Sequence, residues 1–501
     1  MTGDFGLRVR SGTALRRSVA LCAVAMLAGC APTVTGTAVS PVNDPFHVAD
    51  LPAKDGPSGL RDNAPAAVGK VQNTNNSDVD RLALQAINDI AEYWQHDYSA
   101  SGLKGSFKPI EKFLSYDARD RNSPEACDED TAGLVNAFYC PSEKLMAWDR
   151  GIMVPTGRKY FGDVSVAGLI GHEYGHAIQY MAKLVTRSTP VIVREQQADC
   201  FAGAYLHYVA AGDSKRFMMS TGDGLNHVLA GLITVRDPTL GPHDDDMLTD
   251  GHGTALDRVS AFQQGFTVGP QACAAIDLND IKQRRKGLPM ELEDEPMDDE
   301  HRSADLPVDK DTIGTLVELL GVIYSPKQPP KLTYGAAKCD ISQGDSPASY
   351  CPSTNTISVN LPALAQIGTP ADMAEKSLIQ GDNTAFSIVV SRYMMALESQ
   401  RGVKLDDPTA ALRTACLTAQ AQRQMAKPHD LPSGASLQLT AGDLDKAVAG
   451  LLTNGYVATA VDGQGVPAAF TRIAAFRAGL STDDAGCYKR YQGGECIREL
   501  R

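Results

Sequence analysis

Two stretches of the chain carry apolar residues at helical spacing, and they lie far apart in sequence. Ala83, Ile87, Ile90 and Trp94 share one helical face, as do Ile313, Leu316, Leu320 and Ile323. Asp78 and Asp311 stand where an N-cap is expected. Each predicted helix precedes a pair of cysteines. Beyond the cysteines a new helical pattern opens, at Gly162-Asp163 and at Gly381-Asp382. A further helical run follows Pro190. The patterning therefore predicts a largely helical chain in which one order of elements occurs twice.

The residues between the helices support that repeat. Phe138-Tyr139-Cys140-Pro141-Ser142 is matched by Ser349-Tyr350-Cys351-Pro352-Ser353, and the register runs without a gap to Trp148-Asp149 and Val359-Asn360. Cys127 answers to Cys339, and Asp199-Cys200-Phe201 to Ala415-Cys416-Leu417. Asp250-Gly251-His252-Gly253 answers to Asp462-Gly463-Gln464-Gly465. Arg258, Phe262 and Cys273 recur as Arg472, Phe476 and Cys487 at identical spacing. The chain thus reads as a tandem duplication. One domain covers 77–281 and a second 309–501, joined by an acidic, proline-containing linker at 282–308.

Bulk composition narrows the setting. At 501 residues, two globular units are expected. A net charge of −13 with no basic stripe argues against nucleic acid as a partner. The run Glu291 to Glu300 reads as a solvated linker. Arg8, Arg10, Arg16 and Arg17 form a basic head before an apolar run, Val19 to Ala28, that is too short to span a bilayer. Leu27-Ala28-Gly29-Cys30 then resembles the lipobox of bacterial lipoproteins, which implies a signal peptide at 1–29 and acylation of Cys30. An ordinary secretory signal is the plainer alternative, and either one takes the chain out of the cytoplasm. Residues 30–76, rich in Pro, Thr, Ala, Asn, Asp and Gly, read as a flexible tether to the membrane anchor.

Export makes disulfides the natural state of the cysteines. Of eleven, Cys22 lies in the signal and eight form two equivalent sets of four. Proximity favours Cys127–Cys140 and Cys200–Cys273, with Cys339–Cys351 and Cys416–Cys487 in the second set. Three connectivities per set remain open, and a zinc–thiolate site is the rival reading. Cys496 is left over, as a free thiol or a link to another chain.

The chemistry centres on His172-Glu173-Tyr174-Gly175-His176. Residues four apart on a helix share a face, so both imidazoles can grip one zinc ion. A catalytic zinc keeps one of four positions open, so a third protein ligand is needed. Glu195 and Asp199, four apart on the run after Pro190, both face one side. Glu195 is assigned to the metal. Asp199 is assigned to the ring N–H of a ligand histidine, with the exchanged roles as the alternative. Glu173 is the expected general base toward a metal-activated water. His252, between two glycines, is the candidate donor to the developing oxyanion, ahead of Tyr174.

The second copy serves as an internal control. There His172, Glu173 and His176 become Ser391, Arg392 and Met395. Glu195 and Asp199 become Ala411 and Ala415, and His252 becomes Gln464. Cysteines, turn glycines and the Arg–Phe–Cys series stay. An exposed histidine pair on a surface helix is the bland reading, and this pattern of loss weighs against it. His243 with Asp244 to Asp246 reads as a solvated acidic loop before a cation site, and His207 and His227 as ordinary helix residues.

The pentapeptide, followed by Glu195-Gln196-Gln197-Ala198-Asp199-Cys200-Phe201-Ala202-Gly203 and His252-Gly253-Thr254, resembles the neutral zinc metallopeptidase family of bacteria. Phe138-Tyr139-Cys140-Pro141 belongs to the same resemblance. The family is similar to gluzincins, whose third ligand is the first glutamate of a Glu-x-x-Ala-Asp segment, and this maps onto Glu195. The resemblance covers about residues 78 to 275, and 311 to 490 as a degenerate echo. It implies a mostly helical α+β, zincin-like domain, Zn2+ as cofactor and a peptide or protein substrate. The expected protein is a lipid-anchored, extracytoplasmic zinc endopeptidase. Its inactive second domain shapes substrate access or recruits an envelope protein. The alternatives are a non-catalytic envelope lipoprotein scaffold with a structural or vestigial zinc site, and a zinc amidase acting on cell-wall peptides.

Overall fold

Ser77 starts the first helix, α1 (Asp78–Ala100), because its side chain accepts the Asp80 N–H from an extended backbone. The cap therefore lies one residue before Asp78, which is already helical. Ala83, Ile87, Ile90 and Trp94 of α1 are all buried. The computed structural model describes residues 43–241, 243–244, 246–292, 305–335, 339–342, 344–371 and 378–492. The basic head, Cys22, Cys30 and Cys496 fall outside them, as does 293–304 of the acidic linker.

Strands β1 (Val71–Gln72), β2 (Lys112–Tyr116), β3 (Ala137–Cys140) and β4 (Leu145–Asp149) form one sheet in the order β1-β2-β4-β3. The first two junctions are parallel, and β3 pairs antiparallel to β4 with Tyr139 opposite Met146. This leaves β3 at the sheet edge. The chain then enters α2 (Met153–Ala182), which carries the pentapeptide. Gly162 interrupts α2 at φ 78°, so the histidine-bearing part restarts at Asp163 as the pattern predicts. Next come α3 (Val191–Ala211), α4 (Asp223–Thr234) and α5 (Ala255–Val268), the last started by a Thr254/Asp257 capping box.

The second half repeats this order of elements. Helix α6 (Lys310–Tyr324) is capped by Asp309, which accepts the Thr312 N–H at 2.9 Å, and not by Asp311. Strands β5 (Lys331–Tyr334), β6 (Ala348–Cys351) and β7 (Thr356–Val359) line up as β5-β7-β6, parallel and then antiparallel. Helices α7 (Asp382–Gln400), α8 (Pro408–Met425), α9 (Asp443–Thr453) and α10 (Ala469–Leu480) follow. The fold is mixed α+β, dominated by helices, with small sheets. Four disulfides join the expected pairs, Cys127–Cys140, Cys200–Cys273, Cys339–Cys351 and Cys416–Cys487.

Three expectations change. Residues 43–76 are not a free tether. His47–Val48 and Leu51–Pro52 make a hairpin, Gly59–Leu60 pairs with Phe217–Met218, and Val71–Gln72 joins the main sheet. Val48 is fully buried, and its burial offsets the chain entropy that polar composition alone suggested would be kept. The described ends of the 282–308 linker are also packed. Arg285 pairs with Asp257, and Asp305 with Lys446. Finally, the halves do not have separate cores, since one continuous apolar cluster runs through both. Phe266 meets Phe470, Gln263 donates to the Phe470 carbonyl and Arg477 to that of Ser260. Among the described residues no helix is long and apolar enough to cross a membrane.

Candidate metal centre

Helices α2 and α3 cross where α2 has a glycine. A Cβ on Gly175 would meet the Ala198 Cα at 3.0 Å and its carbonyl oxygen at 3.1 Å. Any larger residue would have to push the two backbones apart by a few tenths of an ångström. The crossing places one face of α2 (His172, Glu173, His176) against one face of α3 (Glu195, Asp199).

The two histidine rings stand perpendicular, with centroids 4.9 Å apart. His172 Nε2 lies 3.2 Å from Glu195 Oε2, and His176 Nε2 lies 3.5 Å from Glu195 Oε1. Three donors on one tetrahedral zinc, each about 2.0–2.1 Å from the ion, are spaced by about 3.3 Å. The residues present therefore fit zinc. The polar atoms of His172, Glu173 and His176 also gather within 4.8 Å of one another.

The far side of each ring shows which nitrogen is free. His172 Nδ1 is 2.7 Å from Asp199 Oδ1. An ionised carboxylate can only accept, so Nδ1 carries a proton, and Nε2 is the ring nitrogen turned toward Glu195. His176 Nδ1 is 3.1 Å from Gln179 Oε1. The Gln179 amide nitrogen donates to the Arg194 carbonyl at 2.5 Å, which leaves its oxygen as the acceptor and sets the second tautomer the same way. Asp199 is itself gripped by Arg258, whose Nε and Nη2 donate to both carboxylate oxygens at 3.0 and 2.8 Å.

The electrostatics favour positive charge at this spot. Burial opposes a charged imidazole at His172, yet Asp199, Glu195 and Glu173 outweigh it and carry its pKa up to about 10. Burial also opposes ionisation of Glu195 and Asp199. The histidines hold Glu195 well below the usual carboxylate range, and Arg258 with His172 lowers Asp199. Glu173 behaves differently. Burial raises it, and the nearby histidines do not cancel that effect. Its Oε2 accepts the Tyr139 N–H of edge strand β3 at 3.1 Å.

His252 is brought to the rim. Half of its side chain is exposed (53%), Nε2 lies 3.8 Å from Glu195, and Nδ1 lies 3.4 Å from Asp237. Tyr174 is not at the site; it is fully buried, and its hydroxyl accepts the Ile110 N–H. Two cavities, of about 530 and 280 Å³, meet at His172, Glu173 and His252. The larger is walled by apolar side chains such as Val154, Phe161, Leu169 and Leu232. The smaller is walled by Tyr139, Tyr180 and Arg194. Elsewhere, Asp244 accepts the Gly241 N–H, His207 pairs with Asp50 at 2.8 Å, and His227 is exposed.

Residues 43–276 match the family model described as putative neutral zinc metallopeptidase. That segment of the chain is similar to this family. No curated protein and no solved structure matches the chain. The matched segment begins just before the hairpin of His47–Val48 and Leu51–Pro52, in line with the packing of residues 43–76 onto the domain.

Sequence reasoning missed Gly175, Gln179, Arg258 and the Tyr139 N–H as parts of the centre. Gln179 was within reach, three residues beyond His176 on the same face. Arg258 was visible only as a repeated position, because its partner Asp199 is 59 residues away. The Tyr139 contact is a backbone one and leaves no trace in side-chain identity.

In the second half the matching positions build a different interior. Arg392, in place of Glu173, donates to the Ala348 carbonyl at 2.8 Å and to Ser346 Oγ and the Tyr456 carbonyl at 3.0 Å. These acceptors are neutral, and burial lowers the Arg392 pKa to about 10. Ser391 and Met395 are buried, and Gln464 is exposed.

Proposed function

We propose that the chain is a zinc-dependent endopeptidase. The observation that carries this reading is the convergence of His172 Nε2, His176 Nε2 and the Glu195 carboxylate at zinc-ligand spacing beside the buried Glu173. Zinc held there supplies Lewis-acid polarisation of a peptide carbonyl and brings the pKa of water down toward ~7. Glu173 takes the proton of the attacking water and passes it to the leaving amine, a role suited to a carboxyl raised by burial. Asp199 and Gln179 keep both ligand rings in the tautomer that offers Nε2. His252, at the rim, donates toward the developing oxyanion.

Cavities on both sides of Glu173 support cutting within a chain and not only at its end. Val135, Tyr160 and Val235 are exposed apolar residues at the larger cavity, a surface suited to a peptide with apolar side chains. A structural zinc is usually closed by a fourth protein ligand, and the described residues around His172 and His176 offer Glu173 and no cysteine thiolate.

In the same reading the second half is a degenerate copy of the domain. The shared strand order, the paired disulfides and the loss of all the proposed zinc ligands support it. The lipobox-like segment at Cys30 supports a location outside the cytoplasm with a lipid anchor in the cell membrane. A protein of the cell envelope is the proposed partner of the second half.

The test is Glu173→Gln in the full chain. The variant should bind zinc as the parent does, one ion per chain, and cleave a denatured protein at least 100-fold more slowly. Equal cleavage by both forms, or no zinc in the parent, would overturn the reading.

A further inference from the structure

The geometry points to Asp445, from the second half, as a positioning residue for the zinc centre. It acts by clamping both ends of the loop that presents His252. This inference rests on the hydrolase reading above and goes beyond it.

The loop runs from Arg236 at the end of α4 to Thr254 at the start of α5. Its neck is closed by Asp237, which accepts the Gly253 N–H at 2.6 Å while its own N–H donates to the Gly253 carbonyl at 3.1 Å. Asp237 Oδ1 also lies 3.4 Å from His252 Nδ1. Whatever fixes this neck therefore fixes His252.

Asp445 reaches the neck from α9. Its Oδ1 accepts the Leu256 N–H at 3.2 Å, with the Ala255 N–H beside it, and its Oδ2 lies 3.6 Å from Arg236 Nε. One carboxylate thus faces the outgoing arm of the neck as an ion pair with Arg236 and holds the returning arm by a backbone hydrogen bond. The first N–H groups of a helix have no partner within it. For α5, Thr254 satisfies Asp257, and a residue 189 positions away satisfies Leu256. Two residues beyond Leu256, Arg258 holds Asp199 and through it His172.

This contact is a poor source of stability. Burial pushes the Asp445 carboxyl up to about 6 in spite of Arg236, and burial lowers Arg236 in spite of Asp445. A buried pair whose members are both shifted against their charged forms is costly to keep, so stability alone does not account for it. The same contact gives the second half a use that survives the loss of its own ligands.

The experiment uses the full chain, with parent, Asp445→Asn, His252→Ala and the double variant. Each is assayed for zinc per chain and for kcat and KM on one peptide cut from a denatured protein. Asp445→Asn should keep its zinc and a KM within about twofold, and lose about tenfold in kcat. In the His252→Ala background the further loss should vanish, because the two residues act through one route. Losses that simply multiply, or an unchanged kcat, would overturn the proposal. Gln263→Met, which alters another contact between the halves, should leave kcat unchanged; an equal loss there would reduce Asp445 to a general packing role. If Asp445→Asn does not fold, Arg236→Met opens the same neck from its other side and should give the same kcat loss. Amide exchange provides a readout free of activity. Peptides covering Gly251 to Leu256 should exchange faster in Asp445→Asn, while those of α1 stay unchanged. If the parent itself fails to cleave, the hydrolase reading falls, and unchanged exchange in that loop would separately sink the clamp.

Discussion

The two ligand histidines are braced to different degrees. His176 leans on a neutral amide, whereas His172 leans on a carboxylate that is in turn held by two guanidinium bonds. Arg258 therefore acts on the metal at one remove. Arg258→Met should weaken zinc binding about 10–100-fold, measured by competition with a chromophoric chelator. It should also destabilise the fold by about 3 kcal/mol, since Asp199 is left buried without its counter-charge. Gln179→Leu should weaken zinc less, because it removes one neutral contact. An Arg258→Met protein that lost stability yet kept its zinc affinity would show the arginine to be structural only. At this scale the sequence discloses what local geometry dictates. His172 and His176 are one helical turn apart, so their common face could be read directly. Glu195 and Asp199 follow the same rule. Arg258 obeys no short-range rule, since its partner comes from another helix, and no pattern along the chain connects them.

Helix crossings decide whether those faces meet. Gly175 sits at the α2–α3 crossing, where even a methyl group would press on the Ala198 backbone. Helix interiors usually exclude glycine, which costs about 1 kcal/mol relative to alanine, so its presence there signals a packing demand. At the matching position of the second half the residue is Met394. Gly175→Val should push the helices apart, carry Glu195 away from the histidines and lower zinc affinity at least tenfold. The check is a zinc titration beside far-ultraviolet circular dichroism. Normal affinity with native helicity would mean that α3 can slide without moving Glu195. Helices and disulfides were legible because they depend on spacing and proximity. The strand order was not, because sheet pairing joins residues distant in sequence, such as Phe113 and Met146. Residues 43–76 misled for a related reason. Their polar composition resembles a linker, and only the long-range pairing of Gly59–Leu60 with Phe217–Met218 reveals that they are part of the domain.

For the whole molecule, the interface between the halves makes stability depend on pH in a way that singles out Asp445. This carboxyl faces Arg236, the first turn of α5 and, farther off, Asp257, and burial sets its pKa at about 6. In the unfolded chain it should lie near ~3.9. A folded pKa above the unfolded one means that the folded state binds the proton more tightly. The group's stabilising contribution is then fully present below about 3.9 and is lost as pH rises through about 6. A shift of this size corresponds to roughly 2–3 kcal/mol. Asp445→Asn cannot titrate, and the other carboxylates are common to both proteins. Taking the pH from 7 to 4 should therefore move the stability difference toward the parent by that amount, read from urea unfolding at several pH values between them. A parent that instead lost ground to the variant on acidification would mean that Arg236 holds Asp445 as a depressed, stabilising carboxylate. The contact would then be an ordinary salt bridge between the two halves, kept for its contribution to stability and not for the geometry of the loop.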